Sequence, residues 1–214
     1  MGTILASAII SPARSILLDP DADWFSDADL LAALNRAERR ILLIRPELNN
    51  SRVTLELDAG VAQVLPTNAT ALLDIYQNTA SKRRARQTSR AMLEHLNDRW
   101  SAATGQTEVI HWTADLRSKL RYDVYPPNDG TGQLEALIGT VPTAIASTSG
   151  AINLNDIYET PLLCYVLFEA FSVNSEKQDV AKAVSWENRG SQLLGMNAQT
   201  GATLAPKTNE PGGG

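Results

Sequence analysis

Apolar residues recur at helical spacing in the first part of the chain. In residues 4–17 they fall in pairs separated by polar or small residues, a spacing that predicts an amphipathic helix. The stretch is not typical of a signal peptide, because it has no basic start and Pro12 would break the apolar core of such a peptide. No apolar run approaches the length needed to cross a bilayer, so we expect no membrane anchor.

The clearest helical pattern covers Asp27 to Arg45. Ser26 and Asp29 form a capping-box-like pair at its start, and Pro46 ends the pattern because proline cannot continue a helix. The predicted core face carries Leu30, Leu34, Ala37, Ile41 and Ile44. We expect this helix to pack against a core.

The middle of the chain alternates apolar and polar residues, as strands do. Residues 53–66, "VTLELDAGVAQVLP", predict two short strands around Asp58 to Gly60. Further extended segments are expected at residues 72–77 and 108–113. Residues 87–100 interrupt this pattern with apolar residues at helical spacing, and Thr88 or Ser89 is available as the cap of that helix.

The stretch "YDVYPPNDGTG", residues 122–132, predicts the tip of a β-hairpin. Alternating residues lead up to Pro126, residues 128–130 supply turn-forming side chains, and residues 133–141 are again typical of a strand. We expect the prolines to stop the first strand and the glycines to turn the chain.

Two helices are predicted near the end of the chain, over residues 157–173 and 178–194, and we expect them to pair as a helical hairpin. Gly190 would let the second helix approach the first closely, and Gly195 would end it. Its predicted core face carries Val180, Ala183, Val184 and Leu194. From Asn197 the chain is rich in Gly, Pro, Thr and Asn, a composition that does not fold alone.

Composition describes an ordinary folded protein with a mildly acidic surface. The chain has 214 residues, 43% of them hydrophobic, and a net charge of -5, which argues against a protein coated in nucleic acid. Cys164 is the only cysteine, so the chain can form no internal disulfide or cysteine cluster. Its apolar neighbours predict a buried core position.

No catalytic motif is present in the sequence. The two histidines, His95 and His111, are not part of an HExxH pattern, and neither a phosphate-binding GxxxxGK[ST] loop nor a GxSxG nucleophile motif occurs. His95 lies beside Glu94 and Asp98, but the three side chains do not share one line on a helix. We therefore expect no enzyme activity, no metal site and no cofactor.

The run "KRRAR", residues 82–86, is the one dense basic cluster. Four positive charges in five residues can hold phosphates or an acidic protein surface. Three interpretations stay open from the residues alone: a solvated loop, a protein–protein contact, and a DNA contact.

Four stretches, taken in order, carry a family resemblance. They are "LLDPDADWFSDADLLAALNRAERRILLIRPE", "TNATALLDIYQ", "YDVYPP" and "YETPLLCYVLFEAFSVNSE", and the likeness they carry covers roughly residues 18–194. This combination resembles the head-to-tail connector, or adaptor, proteins of tailed bacteriophages.

The resemblance implies a fold and a function. It implies an α+β protein that is mainly a helical bundle with a small antiparallel β insertion. It further implies a ring of twelve copies, located in the virion at the head–tail junction after synthesis in the bacterial cytoplasm. The implied partners are the portal protein, a tail tube or nozzle protein, and DNA that passes through the channel without sequence-specific binding. The C-terminal segment of such adaptors extends to clasp the portal.

We accordingly expect one adaptor domain over residues 1–195, with the β insertion at about residues 52–142, and an extended flexible tail over residues 196–214. The predicted partner-binding residues are Lys82, Arg83, Arg84, Arg86, Asn128, Asp129, Gly130, Leu204, Pro206 and Lys207. The alternative is a small cytoplasmic nucleic-acid-binding or packaging accessory protein that uses residues 82–86. Steeply salt-dependent DNA binding would favour that alternative.

Overall fold

The structure is a computed structural model that describes residues 2–115, 117–173 and 178–204. Its α-helices are α1 (Ala6–Leu17), α2 (Asp27–Ile44), α3 (Arg90–Leu96), α4 (Glu159–Ser172) and α5 (Val180–Leu204). Its strands are β1 (Asn50–Glu56), β2 (Gly60–Val64), β3 (Ala69–Asn78), β4 (Arg86–Gln87), β5 (His111–Ala114), β6 (Arg121–Asn128) and β7 (Gln133–Thr140).

The balance of helix and strand corrects the predicted fold class. The protein is α+β with 40% helix and 26% strand in two sheets, and it is not a mainly helical bundle with a small β region. The strands form two sheets, and these sheets share a hydrophobic core. The prediction underestimated this part because strands gain their stability from partners distant in sequence.

The chain divides into two compact units, which we call the helical unit (residues 1–38 and 144–214) and the β unit (residues 39–143). The grouping of residues 1–195 into a single domain with a following tail stays a prediction.

In the helical unit, α4 packs against both α1 and α5. Helix α4 is apolar on most of its surface and buries eight residues, so it forms the centre of this unit. The predicted contact at Gly190 is confirmed, because a Cβ atom there would lie 3.1 Å from the Tyr165 ring. The Tyr165 hydroxyl and Ser191 Oγ are 3.1 Å apart, which adds a hydrogen bond to the same helix pair.

The start of α2 is formed by the predicted capping box. The Asp29 N–H donates to Ser26 Oγ over 3.2 Å, and the Ser26 N–H donates to Asp29 Oδ2 over 2.9 Å. The Ser26 hydroxyl also donates to Asp29 Oδ2 over 2.6 Å, and this bond first, followed by that from the Ser26 N–H, lowers the pKa of the Asp29 carboxyl. Local sequence therefore determines where α2 begins.

The β unit is built from two sheets, with strand orders β1-β7-β3 and β2-β6-β5-β4. Its shared core contains 13 buried residues, among them Leu134, Ile138, Trp112, Tyr122 and Val124. Strands of both sheets contribute to this core, so the sheets pack face to face. Burial raises the pKa of the Tyr122 hydroxyl well above its ordinary value, and the nearby Asp58 carboxylate adds to the effect.

The predicted hairpin at residues 122–141 is wrong. Strands β6 and β7 do not pair; β6 pairs with β2 and β5, whereas β7 pairs with β1 and β3. The chain crosses from one sheet to the other between β6 and β7, and it also crosses between β1 and β2. The Leu57 N–H donates to the Gly132 carbonyl over 3.0 Å. This hydrogen bond connects the β1–β2 segment to the β6–β7 segment.

The prolines do not stop β6, which continues through Pro126 and Pro127 to Asn128. Here the register between β2 and β6 shifts, because Gly60 pairs with Asn128 but Ala62 pairs with Asp123. Proline has no N–H to donate, and a register irregularity is where a strand tolerates that loss.

Three further predictions need correction in detail. Ile44, Val180 and Val184 were expected in the core but are 53%, 63% and 49% exposed. Helix α5 does not end at Gly195 but continues to Leu204. In each case a local sequence pattern was extended to a position where tertiary packing determines whether the side chain is buried or where the helix ends.

Candidate partner-binding surfaces

Residues 82–85 of the basic cluster lie in the loop between β3 and β4, Arg86 begins β4, and a buried asparagine holds the loop in place. The Asn78 amide donates to the carbonyls of Arg83 and Val109 over 3.0 and 2.8 Å, and its oxygen accepts from the Val109 N–H over 2.8 Å. The Lys82 N–H donates to the Asn78 carbonyl over 3.0 Å, with Lys82 in the left-handed region at φ 59°. The hydrogen bonds of buried Asn78 therefore fix the conformation of this loop, and the sequence alone did not point to Asn78.

Most charged side chains of this cluster are exposed to solvent. Arg83 pairs with Glu108 over 3.0 Å. Lys82, Arg84 and Arg86 are exposed, and none of them has an ion pair in the part of the chain that the structure describes. Exposed cations that form no close ion pair are suited to bind an anionic surface.

Beside this loop is a groove of about 500 Å³ that we call the arginine groove. It is lined by Arg83, Arg84, Arg86, Ile110 and His111. Ile110 is 44% exposed, so the groove combines positive charge with apolar surface. The His111 ring stacks on Tyr125, and its buried Nδ1 has no hydrogen-bond partner among the described residues. Such a lining fits an acidic segment that also carries apolar side chains.

The turn at residues 128–132 contains predicted partner-binding residues of two kinds. Asn128 is buried and works within the fold: its amide donates to the carbonyls of Gln106 and Thr107, and its oxygen accepts from the N–H groups of Gly130 and Gly132. Gly130 adopts φ 91°, a conformation that favours glycine. This set makes a rigid crossing between the two sheets.

Asp129, in contrast, is exposed at the surface of the turn. Its carboxylate accepts hydrogen bonds from the Thr107 hydroxyl over 2.7 Å and from the Thr131 hydroxyl and N–H over 2.7 and 2.9 Å. These bonds, the one from Thr107 first, lower the pKa of the Asp129 carboxyl. Of the predicted turn residues, Asp129 is the one with a charged group directed to solvent.

The C-terminal residues predicted to bind partners lie at the edge of what the structure describes. Leu204 is the last residue of α5. Pro206 and Lys207 lie outside the described residues.

A second surface, which the sequence analysis did not identify, is the loop of residues 18–26. We call it the acidic loop. Asp19, a residue of this loop, is buried, and its carboxylate accepts hydrogen bonds from the N–H groups of Trp24 and Phe25 over 3.1 and 3.0 Å. The Arg14 guanidinium lies 3.3 Å from Asp19 and donates to the Phe25 carbonyl over 2.8 Å. The buried ion pair thus fixes the path of the loop.

The acidic loop presents charge and apolar area together. Asp21 and Asp23 are exposed and have no ion pair in the described part of the chain, while Leu18 and Trp24 are 78% and 46% exposed. Leu18 adopts φ 55° at the end of α1, a conformation unfavourable for leucine. The run "DPDADW" was the available signal in the sequence, but only the structure shows that Asp21 and Asp23 form no ion pair among the described residues.

Another groove of the β unit has a volume of about 770 Å³ and a polar lining that includes Ser89, Arg90, Thr113, Asp115 and Asp123. Burial raises the pKa of the Asp123 carboxyl; Arg90 opposes this effect and Asp115 adds to it. Among the described residues no group of three His, Cys, Asp or Glu side chains is arranged to hold a metal ion. Within the same residues, no helix is long and apolar enough to cross a membrane.

Comparison with known families identifies the chain. The SU10 adaptor protein family matches residues 5–209. The chain therefore belongs to the SU10 adaptor proteins, a family of phage head-to-tail adaptors, as the four stretches of sequence predicted. A search of curated proteins gave no match.

Membership settles the broad function. The protein is a structural adaptor of a bacteriophage particle, and the family acts by assembling with head and tail components rather than by catalysis.

Proposed function

We propose that copies of this protein form a ring that joins the portal to the tail and surrounds the DNA channel. The observation that carries the proposal is the family match, which extends over nearly the whole chain. Twelve copies would give the ring the symmetry that the sequence resemblance implies. In this function the protein occupies the head–tail junction of the virion, and DNA passes through it without sequence-specific contacts.

Two surfaces of the described structure support an assembly role. The exposed cations of residues 82–86 and the Asp129 turn both project from loops that buried asparagines hold in place. A preordered surface loses little conformational entropy when it binds. We propose that Lys82, Arg84, Arg86 and Asp129 contact neighbouring proteins of the particle.

We further propose that the C-terminal residues, including Leu204, Pro206 and Lys207, clasp the portal. A segment that becomes ordered on binding pays an entropic cost but can cover a large surface. Repetition around a ring multiplies such weak contacts.

Native mass spectrometry of the full chain, with and without its portal protein, tests both proposals. We expect a ring on the portal, and loss of that complex when the chain is truncated after Gly195. Because α5 continues to Leu204, a second truncation after Leu204 serves as the matched control and separates the end of the helix from residues 205–214. A chain that stays monomeric with the portal would contradict the ring, and full binding by both truncations would contradict the clasp.

The second candidate is a DNA-binding accessory protein, which the exposed cations Lys82, Arg84 and Arg86 favour. Binding to duplex DNA should then fall steeply with added salt. Fluorescence anisotropy over a salt series measures this, and the reversal of Arg84 and Arg86 to Glu should abolish the signal. Salt-insensitive or absent binding excludes the candidate.

A further inference from the structure

The arginine groove and the acidic loop have complementary chemistry on one chain. The groove presents the guanidinium groups of Arg84 and Arg86 beside the exposed Ile110, and its third arginine, Arg83, pairs with Glu108. The acidic loop presents the unpaired carboxylates of Asp21 and Asp23 between two exposed apolar side chains, Leu18 and Trp24. The two surfaces carry opposite charges, and each also exposes apolar area that the other could cover.

Both surfaces are also held rigid by buried polar residues. Asn78 fixes the loop at the groove, and Asp19 with Arg14 fixes the acidic loop. Leu18 keeps a backbone conformation that is unfavourable for leucine while its side chain stays 78% exposed. Strain of this kind is found where a loop takes part in binding.

A ring of identical copies needs two different surfaces that fit each other, because its contacts run head to tail. We propose that the arginine groove of one copy binds the acidic loop of the next copy. The inference rests on the ring function proposed above and names the residues of its subunit contact. The carboxylates of Asp21 and Asp23 pair with the guanidinium groups of the groove, and the apolar side chains of the loop cover Ile110.

Charge reversal tests this contact in a way that distinguishes it from a general loss of folding. One variant reverses the groove, Arg84→Glu with Arg86→Glu, and a second reverses the loop, Asp21→Lys with Asp23→Lys. In either variant alone, like charges meet at every contact, and we expect the assembled fraction to fall by about tenfold or more. Circular dichroism and thermal melts confirm that each chain is folded.

Mixing the two variants supplies the decisive result. In a 1:1 mixture, the natural loop of the first variant faces the natural groove of the second, and the two reversed surfaces face each other. In a ring with an even number of copies, the two variants can alternate, and opposite charges then meet at every contact. We therefore expect the mixture to recover assembly. A chain that carries all four substitutions should also assemble.

Matched controls change the same number of charges elsewhere: Arg117→Glu with Lys119→Glu for the groove, and Glu56→Lys with Asp98→Lys for the loop. All four of these residues are exposed, and we expect both controls to assemble like the unaltered chain. The native contact should also weaken as salt rises, because salt screens exposed charges.

The outcomes separate the two proposals. If the unaltered chain forms rings and both reversed variants do so equally well, or if the mixture fails to recover, the proposed contact is overturned and the ring remains. If the groove reversal abolishes DNA binding and leaves assembly intact, the groove is a nucleic-acid surface and the proposal is wrong. If the unaltered chain never assembles with the portal, both the ring and the contact are overturned.

Discussion

At the scale of single residues, a few buried polar side chains organise the exposed loops. Asp19, Asn78 and Asn128 are each nearly inaccessible to solvent, and each accepts or donates several hydrogen bonds to backbone groups of a neighbouring loop. A buried polar group without partners would be costly. The native conformation of each loop is therefore the one that satisfies the side chain beneath it.

Asp19 gives a pH-dependent prediction. Burial alone would raise the pKa of its carboxyl, but the backbone N–H groups of Trp24, Phe25 and Asp23, together with Arg14, outweigh burial and lower it. A carboxyl with a lowered pKa stabilises the fold above its pKa in the unfolded chain, and this contribution is lost as the pH falls below that value towards the folded pKa. We expect Asp19→Asn to lower the free energy of unfolding by about 2–3 kcal/mol at neutral pH.

Denaturant unfolding at a series of pH values checks this prediction. The stability difference between the natural chain and Asp19→Asn should narrow as the pH falls below 3.8, the ordinary pKa of the carboxyl, because protonated Asp19 is also uncharged. Asp21→Asn, an exposed change in the same loop, should follow the natural chain throughout. Parallel curves for the natural chain and Asp19→Asn across this range would contradict the assigned role.

At the scale of secondary-structure elements, local signals placed the helix starts, and packing decided how the elements continue. The Ser26–Asp29 box marks the start of α2, and Ser89 accepts from the Met92 N–H as the predicted cap of α3. In contrast, Gly195 lies inside α5 rather than at its end. Glycine ends a helix only when the backbone turns there, so composition alone did not place that boundary.

Gly190 and Gly195 of α5 should therefore respond in opposite directions to substitution. At Gly190 a Cβ atom would meet Tyr165 at 3.1 Å and the Cβ of Cys164 at 3.3 Å, so the larger side chain of Gly190→Val overpacks the α4–α5 contact. We expect a loss of about 1–3 kcal/mol in the free energy of unfolding.

Gly195→Ala is the matched comparison, since nothing lies within 4 Å of a Cβ atom at Gly195. We expect it to stabilise the chain by up to about 1 kcal/mol, because alanine favours helix over glycine. Chemical denaturation of both variants provides the measurement. Equal effects of the two substitutions would show that α5 does not contact α4 as described.

At the scale of the whole molecule, the chain forms two compact units with separate cores. The β unit has 13 buried residues in one cluster, and its strands find all their partners between residues 50 and 140. A unit that satisfies its own strands and core has what independent folding requires.

We therefore expect a fragment of residues 39–143 to fold by itself. It should show a strand-rich circular dichroism spectrum and one cooperative thermal transition. The same fragment with Leu134→Asp, which places a charge in the core, is the control and should be unfolded. A fragment without a cooperative transition, equal to that control, would show that the β unit depends on the rest of the chain.

The sequence by itself determined the family, the position of most helices and strands, and the basic cluster at residues 82–86. These features depend on local patterns: helical periodicity, alternation, caps and the order of short motifs. The tertiary structure alone decided which strands pair, so that residues 122–141 form a crossing between two sheets and not a hairpin. It also decided that Asp19 pairs with Arg14, whereas Asp21 and Asp23 form no ion pair among the described residues. The physical reason is the same in both cases, because strand partners and charge partners are chosen among residues far apart in the chain, where local pattern carries no information.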